Sequence, residues 1–190
     1  MNKIIMLMTA LLLSAGLNAS EPSVEVAGIE LPTTMTVEAQ SLTLNGTGIR
    51  SKFFMDIYAA ALYVSEISAD AGSIIAQNKP MALRLHITSG LLSSDKMEVA
   101  TREGFEKSMG GDTSSLRETI NAFIETFKEE IVVNDVFDFV YTPENGVNVL
   151  KNGEVKKNIK GLEFKRALFG IWLGEDAVSD DLKEGLLGDV

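Results

Sequence analysis

Arg50 and Tyr58 are the two side chains whose type and placement in this sequence suggest chemistry. Arg50 follows Gly46-Thr47-Gly48-Ile49 and leads into residues 53–64, a run nearly continuous in apolar and small side chains. A guanidinium beside a buried strand has to find a partner, because its charge is costly to leave unpaired in apolar surroundings. That partner is either a structural carboxylate, such as Asp56, or an anionic ligand gripped by two parallel hydrogen bonds. Tyr58 shares strand parity with Arg50 if one unbulged strand carries both, and a phenol beside a guanidinium then makes a convergent polar pair. The competing reading is an ordinary ion pair and a core tyrosine.

Other chemistry finds little support. The chain has one histidine, His86, and no cysteine, which excludes disulfides and thiolate catalysis and leaves too few soft ligands for a zinc site. No Gly-rich phosphate loop with lysine, serine elbow or metal-binding histidine pair occurs. His86 alternates with Leu85 and Ile87 in a strand pattern, and reads as an exposed or hydrogen-bonded sheet histidine rather than a base. Trp172, Phe123, Phe127, Phe164 and Phe169 recur at helical spacing and read as core. No catalytic residue, metal ligand or cofactor is implied. With 27 acidic against 17 basic residues and a net charge of −10, the chain is ill suited to phosphate backbones and anionic lipid surfaces.

The elements that must position the pair follow from periodicity. Residues 1–19 have a positive start, a short apolar run and a small-residue exit, which predicts a cleaved signal peptide and an exported product, periplasmic or secreted. One domain is expected over 20–190, with no stable membrane insertion after cleavage. Val24, Val26 and Ile29 suggest a first strand, closed by a break at Leu31-Pro32, and 34–39 and 41–45 alternate as half-buried strands. The composition of 45–48 predicts a turn. Residues 53–64 then read as one buried strand, with Ala59-Ala60-Ala61 leaving a helix open as the alternative, and 81–88 alternate cleanly. Two helices follow, one capped by Ser93 or Ser94 and ended near Gly110-Gly111, the other running from 113–115 to Ile131. A meander of short strands spans 136–153, then a helix over 162–172 stopped by Gly174, then a last helix capped by Ser179. Strands, paired helices, strands and helices in that order describe an α+β domain, an antiparallel sheet with helices gathered on one face.

Two segments carry a resemblance. Leu44-Asn45-Gly46-Thr47-Gly48-Ile49-Arg50, running into Ile57-Tyr58-Ala59-Ala60-Ala61-Leu62-Tyr63-Val64, resembles the N-terminal signature of chalcone isomerase-like proteins. The more specific block is Phe164-Lys165-Arg166-Ala167-Leu168-Phe169-Gly170-Ile171-Trp172-Leu173-Gly174-Glu175-Asp176-Ala177-Val178-Ser179, continued by Asp181-Leu182-Lys183-Glu184-Gly185-Leu186-Leu187. The resemblance implies an open-faced β-sandwich, a large antiparallel sheet under a layer of helices, with a ligand cleft between them. It also implies one of three functions: closure of a chalcone, fatty-acid binding, or no catalysis, with exported bacterial members similar to the last group. Arg50 falls at the family's site arginine, which polarises a ketone in the enzymes and holds a carboxylate in the lipid binders. Tyr58 falls where the enzymes carry threonine and the fatty-acid binders tyrosine. The catalytic tyrosine and asparagine fall at Met97 and Gly104, and a polar threonine falls at Ile171, so the enzyme's acid–base groups are missing.

The leading expectation is therefore a non-catalytic protein that binds a small amphipathic, fatty-acid-like carboxylate through Arg50 and Tyr58. The alternatives are an isomerase or intramolecular lyase on an unknown enone, and a structural or partner-binding periplasmic protein with a closed cleft. The first would share Arg50 as its electrophile. An Arg50 paired to a carboxylate would favour the second.

Overall fold

The computed structural model describes residues 22–188; the expected signal segment, 1–19, lies outside them. A small hairpin, β1 (Ser23–Val26) and β2 (Ile29–Pro32), comes first. Seven strands then form one antiparallel sheet in sequence order: β3 (Thr34–Val37), β4 (Gln40–Lys52), β5 (Met55–Val64), β6 (Met81–Ile87), β7 (Val136–Thr142), β8 (Gly146–Lys151) and β9 (Glu154–Ile159). Helix α1 (Ala71–Ala76) links β5 to β6, and α2 (Ser94–Ser108) and α3 (Arg117–Ile124) lie between β6 and β7. Helices α4 (Leu162–Leu173) and α5 (Asp180–Leu186) end the described chain. Among the described residues no helix is long and apolar enough to cross a membrane.

The main core lies between the sheet and the helices, where Leu83, Leu85, Phe137 and Phe139 meet Phe105, Phe123, Phe164 and Trp172. Edge-to-face rings, such as Phe105 on Phe123 at 5.8 Å and 87°, fix the helical layer on the strands. The opposite face carries a smaller cluster of Leu31, Val37, Leu42, Ala61, Tyr63 and Ala82 beneath the β1–β2 hairpin, tied by the Tyr63 hydroxyl donating to the Pro32 carbonyl at 3.0 Å. This is the expected open-faced α+β sandwich. Because β5 is covered on both sides, its residues from Ile57 to Val64 are all buried. Ala59-Ala60-Ala61 is therefore strand and not helix: small side chains let both layers approach the sheet there.

Several expectations need correction. Residues 45–48 are not a turn but the middle of β4, whose glycines admit a helix. A Cβ on Gly46 would run into the Gly185 carbonyl of α5, and one on Gly48 would lie 2.8 Å from Leu182 Cδ1. Glycine here marks close backbone approach rather than chain reversal. The reversal falls instead at Phe53-Phe54, so the apolar run 53–64 holds a hairpin turn and then β5. Leu31-Pro32 is not itself the break but the end of β2; the bend falls one residue later, at Thr33, before β3. The helix expected through Ile131 is shorter, with α3 flanked by 3-10 turns at Ser114–Leu116 and Glu125–Phe127. Helix α1 was not expected, while the Ser93 and Ser179 caps accept from Lys96 and Leu182 amides as the sequence implied.

Candidate functional site

Arg50 and Tyr58 do come together, by a different geometry from the one their spacing suggested. They lie on neighbouring strands, β4 and β5, and face each other directly across the ladder, so their side chains leave the sheet on the same side. A register irregularity between Arg50 and Ser51 re-aims the end of β4. Both residues line a cavity of about 600 Å³ between the sheet and helices α2 and α4, within the size range of small-molecule sites. Most of its wall is apolar, with Ile57, Leu85, Met97, Ile171, Trp172 and Val178 among its members.

Tyr58 is buried, and the Trp172 indole Nε1–H donates to its hydroxyl oxygen at 3.1 Å. Burial pushes the phenol pKa up to about 12, against the smaller opposing effects of that hydrogen bond and of the Arg50 charge. The phenol therefore stays neutral at physiological pH. With Trp172 filling one lone pair, its own proton is available to donate to an acceptor in the cavity.

Arg50 is partly exposed and donates from Nη1 to the Ser51 carbonyl at 2.7 Å. Among the described residues it has no carboxylate within ion-pair distance. Asp56, the nearest candidate in sequence, accepts from the Ser51 hydroxyl at 2.7 Å instead. A guanidinium and a neutral phenol thus sit side by side in the wall of a mostly apolar cavity, donors both; Asp95 and Glu103 line the same cavity, but among the described residues neither is within ion-pair distance of Arg50. Together the two donors suit a planar anion such as a carboxylate.

The positions where the enzyme pattern is broken gather at the same place. Met97 and Ile171 line the cavity. A Cβ on Gly104 would lie 2.8 Å from Ile171 Cγ2, so Ile171 occupies the room a larger residue at 104 would need. His86 is elsewhere: its neighbours Leu85 and Ile87 face the main core, while its Nε2 lies 3.4 Å from Asn134 Oδ1. Among the described residues no group of three or more His, Cys, Asp or Glu side chains could hold a metal.

Two buried lining residues with polar groups escaped the sequence reading. Trp172 was assigned to the core by its helical spacing, yet it orients Tyr58. The signal for it is chemical: an indole N–H buried among apolar groups needs an acceptor. Thr101, buried on α2, also lines the cavity, and nothing in its surroundings in the sequence distinguishes it.

The sheet, its one-sided helical layer and the cleft between them define an open-faced sandwich with an internal site. The chain belongs to the chalcone isomerase-like family, whose model matches residues 23–188. It is also similar in fold to a solved fatty-acid binding protein of Arabidopsis thaliana, with a TM-score of 0.69 and 19% identity over 88% of this chain and 97% of that one. No curated protein matches it in sequence.

Proposed function

We propose that this is an exported, non-catalytic binding protein for an amphipathic carboxylate of the fatty-acid type. The observation that carries the reading is the Arg50–Tyr58 pair, two donors that line a mostly apolar cavity, with no carboxylate within ion-pair distance of Arg50 among the described residues. The guanidinium supplies charge and a fork of donors, the Trp172-oriented phenol supplies a further hydrogen bond, and the apolar wall takes the tail. A fatty-acid binding protein among the similar folds supports the ligand class, and the character of residues 1–19 supports export. Enone cyclisation is less well served. Arg50 would be its electrophile, but Met97, Gly104 and Ile171 provide no proton donor or acceptor. The closed-cleft reading loses its main support with Arg50 free of a carboxylate among the described residues and the cavity open.

Retention of ligand tests this. Trp172 is the only tryptophan and lines the cavity, so its fluorescence reports occupancy directly. A long-chain carboxylate is expected to co-purify with the wild type and to be seen by native mass spectrometry. Arg50→Ala should bind it about 10- to 100-fold more weakly, the effect of losing hydrogen bonds to a charged group, with its circular dichroism unchanged. Equal retention by both proteins refutes the proposal.

A further inference from the structure

The turn that joins β4 to β5 is built against its own backbone preference. Phe53 and Phe54 are its two central residues, between the paired Lys52 and Met55, and both have positive φ, 51° and 63°. Two-residue hairpin turns of this kind favour Asn, Asp and Gly because other side chains clash there. Two other two-residue turns with positive φ at both positions, Ala27-Gly28 and Asn152-Gly153, each end on glycine, and the Glu38-Ala39 turn has positive φ at Glu38 alone. At the β4–β5 turn the same backbone carries two phenylalanines, one 79% exposed and the other fully exposed. A strained turn presenting large apolar side chains to solvent serves neither folding nor solubility, which directs attention to a contact.

Its surroundings say what kind. Phe53 and Met55 line the cavity, and so do Leu91 and Val99, two more exposed apolar residues on the side where α2 begins. The exposed apolar residues thus border the opening of a mostly apolar cavity, which the exposed Asp95, Lys96 and Glu103 of α2 line as well. Residues 50–55 contain Arg50 and Lys52 and no acid, although acidic residues outnumber basic ones 27 to 17 in the whole chain. The Lys52 ammonium lies 5.6 Å from the Phe53 ring centroid, at the base of the tip. Aromatic side chains leading and cations just behind is the order in which a bilayer interface presents its acyl boundary and its phosphates.

We infer that the Phe53-Phe54 tip docks on a phospholipid surface and sets the cavity mouth against it, so that an apolar ligand passes between membrane and protein without crossing water. The purpose of the contact rests on the carboxylate-binding reading; the contact itself does not depend on what the cavity holds. Because the molecule as a whole carries a charge of −10, docking is a local apolar event and needs no anionic lipid.

The test uses delipidated protein and phosphatidylcholine vesicles, with binding read by co-flotation. The informative variant is Phe53→Asn/Phe54→Gly, which gives the turn the residues it favours and so should melt no lower than the wild type. Wild type is expected to float with vesicles and the variant to lose that binding by at least about tenfold, the effect of removing one buried phenylalanine. Delivery of a carboxylate from vesicles should slow in the variant; the single change Phe54→Gly, at a residue that does not line the cavity, should slow it too, with affinity for the same ligand added in solution unchanged. A wild type that does not float, or a variant that floats as well, overturns the inference. So does a wild type found dimeric by light scattering whose variant is monomeric, since the tip would then serve a second copy of the chain. Arg50→Ala separates the two readings: its loss of ligand tests the cavity, and the tip variant's loss of vesicle binding tests the surface.

Discussion

Lys165 is fully buried, and among the described residues no carboxylate lies within ion-pair distance of it. Its ammonium donates to the carbonyls of Ile74 and Ile75 at 2.8 Å and of Gln77 at 3.0 Å, closing the C-terminal end of α1, and lies 5.5 Å from the Tyr141 ring centroid. Burial, with a smaller contribution from neighbouring Arg166, pushes its pKa down to about 8. An unfolded lysine titrates near about 10.4, so between those values the unfolded chain holds a proton the native one has released, and stability rises with pH. Above about pH 10 the sign reverses, because unfolded tyrosines ionise while Tyr58 and Tyr63, both raised to about 12, keep their protons. Lys165→Met should therefore lose about 2–3 kcal/mol at neutral pH by stranding buried carbonyls, and should lack the rise from pH 8 to 10. Urea midpoints across that range check both, and parallel profiles for the two proteins would show that the lysine stays charged. Neither role of this lysine is legible in Phe164-Lys165-Arg166, where it reads as an ordinary surface cation on a helix. Arg50 and Tyr58 were legible because a charge and a phenol flanking an apolar run raise a question of partners. Trp172 was not, because an aromatic at helical spacing already has an explanation.

At the scale of elements, what the sequence showed well was periodicity and what it concealed was approach between distant segments. The clean alternation of 81–88 and the Ser93 and Ser179 caps carry their own evidence, and the structure forms them as expected. Gly46 and Gly48 read as a turn because their nearest neighbours are Asn45 and Thr47; their real reason, α5, lies far along the chain. Asn45 confirms the docking: its amide donates to the Leu186 carbonyl at 2.9 Å and to the Ser68 carbonyl at 3.1 Å. Leu182 and Leu186, both completely buried, are the apolar face that α5 brings to β4. The converse error occurred at Phe53-Phe54, where a turn without Gly, Asn or Pro gave no local signal. Gly46→Val should force α5 off the strand, costing about 3 kcal/mol or more through overpacking and the exposure of those two leucines. A lowered urea midpoint with increased proteolysis near residues 174–188 is the expected result. A midpoint matching the wild type would mean that β4 tolerates a side chain there and that α5 is not held by close approach.

The whole molecule combines a large apolar cavity with no covalent cross-link, since the chain contains no cysteine. Its stability must come from the packed part of the core, and an unfilled apolar cavity forfeits the dispersion contacts a filled one would make. Occupancy should therefore be felt by the entire domain. A ligand present at 100 times its Kd adds about 2.7 kcal/mol to the native state, which for a domain of this size raises Tm by roughly 5–10 °C. Head group and tail can be separated by comparing a long-chain carboxylate with the alcohol of the same length. If the apolar wall holds the tail and Arg50 with Tyr58 holds the head, both compounds raise Tm in the wild type, the carboxylate more at equal concentration. In Arg50→Ala the carboxylate's advantage should vanish while the alcohol's shift persists, because the cavity wall is untouched and only the charge-assisted hydrogen bonds are gone. Equal shifts by the two compounds in the wild type would mean that the cavity selects for the tail alone and that Arg50 does not recognise the head group.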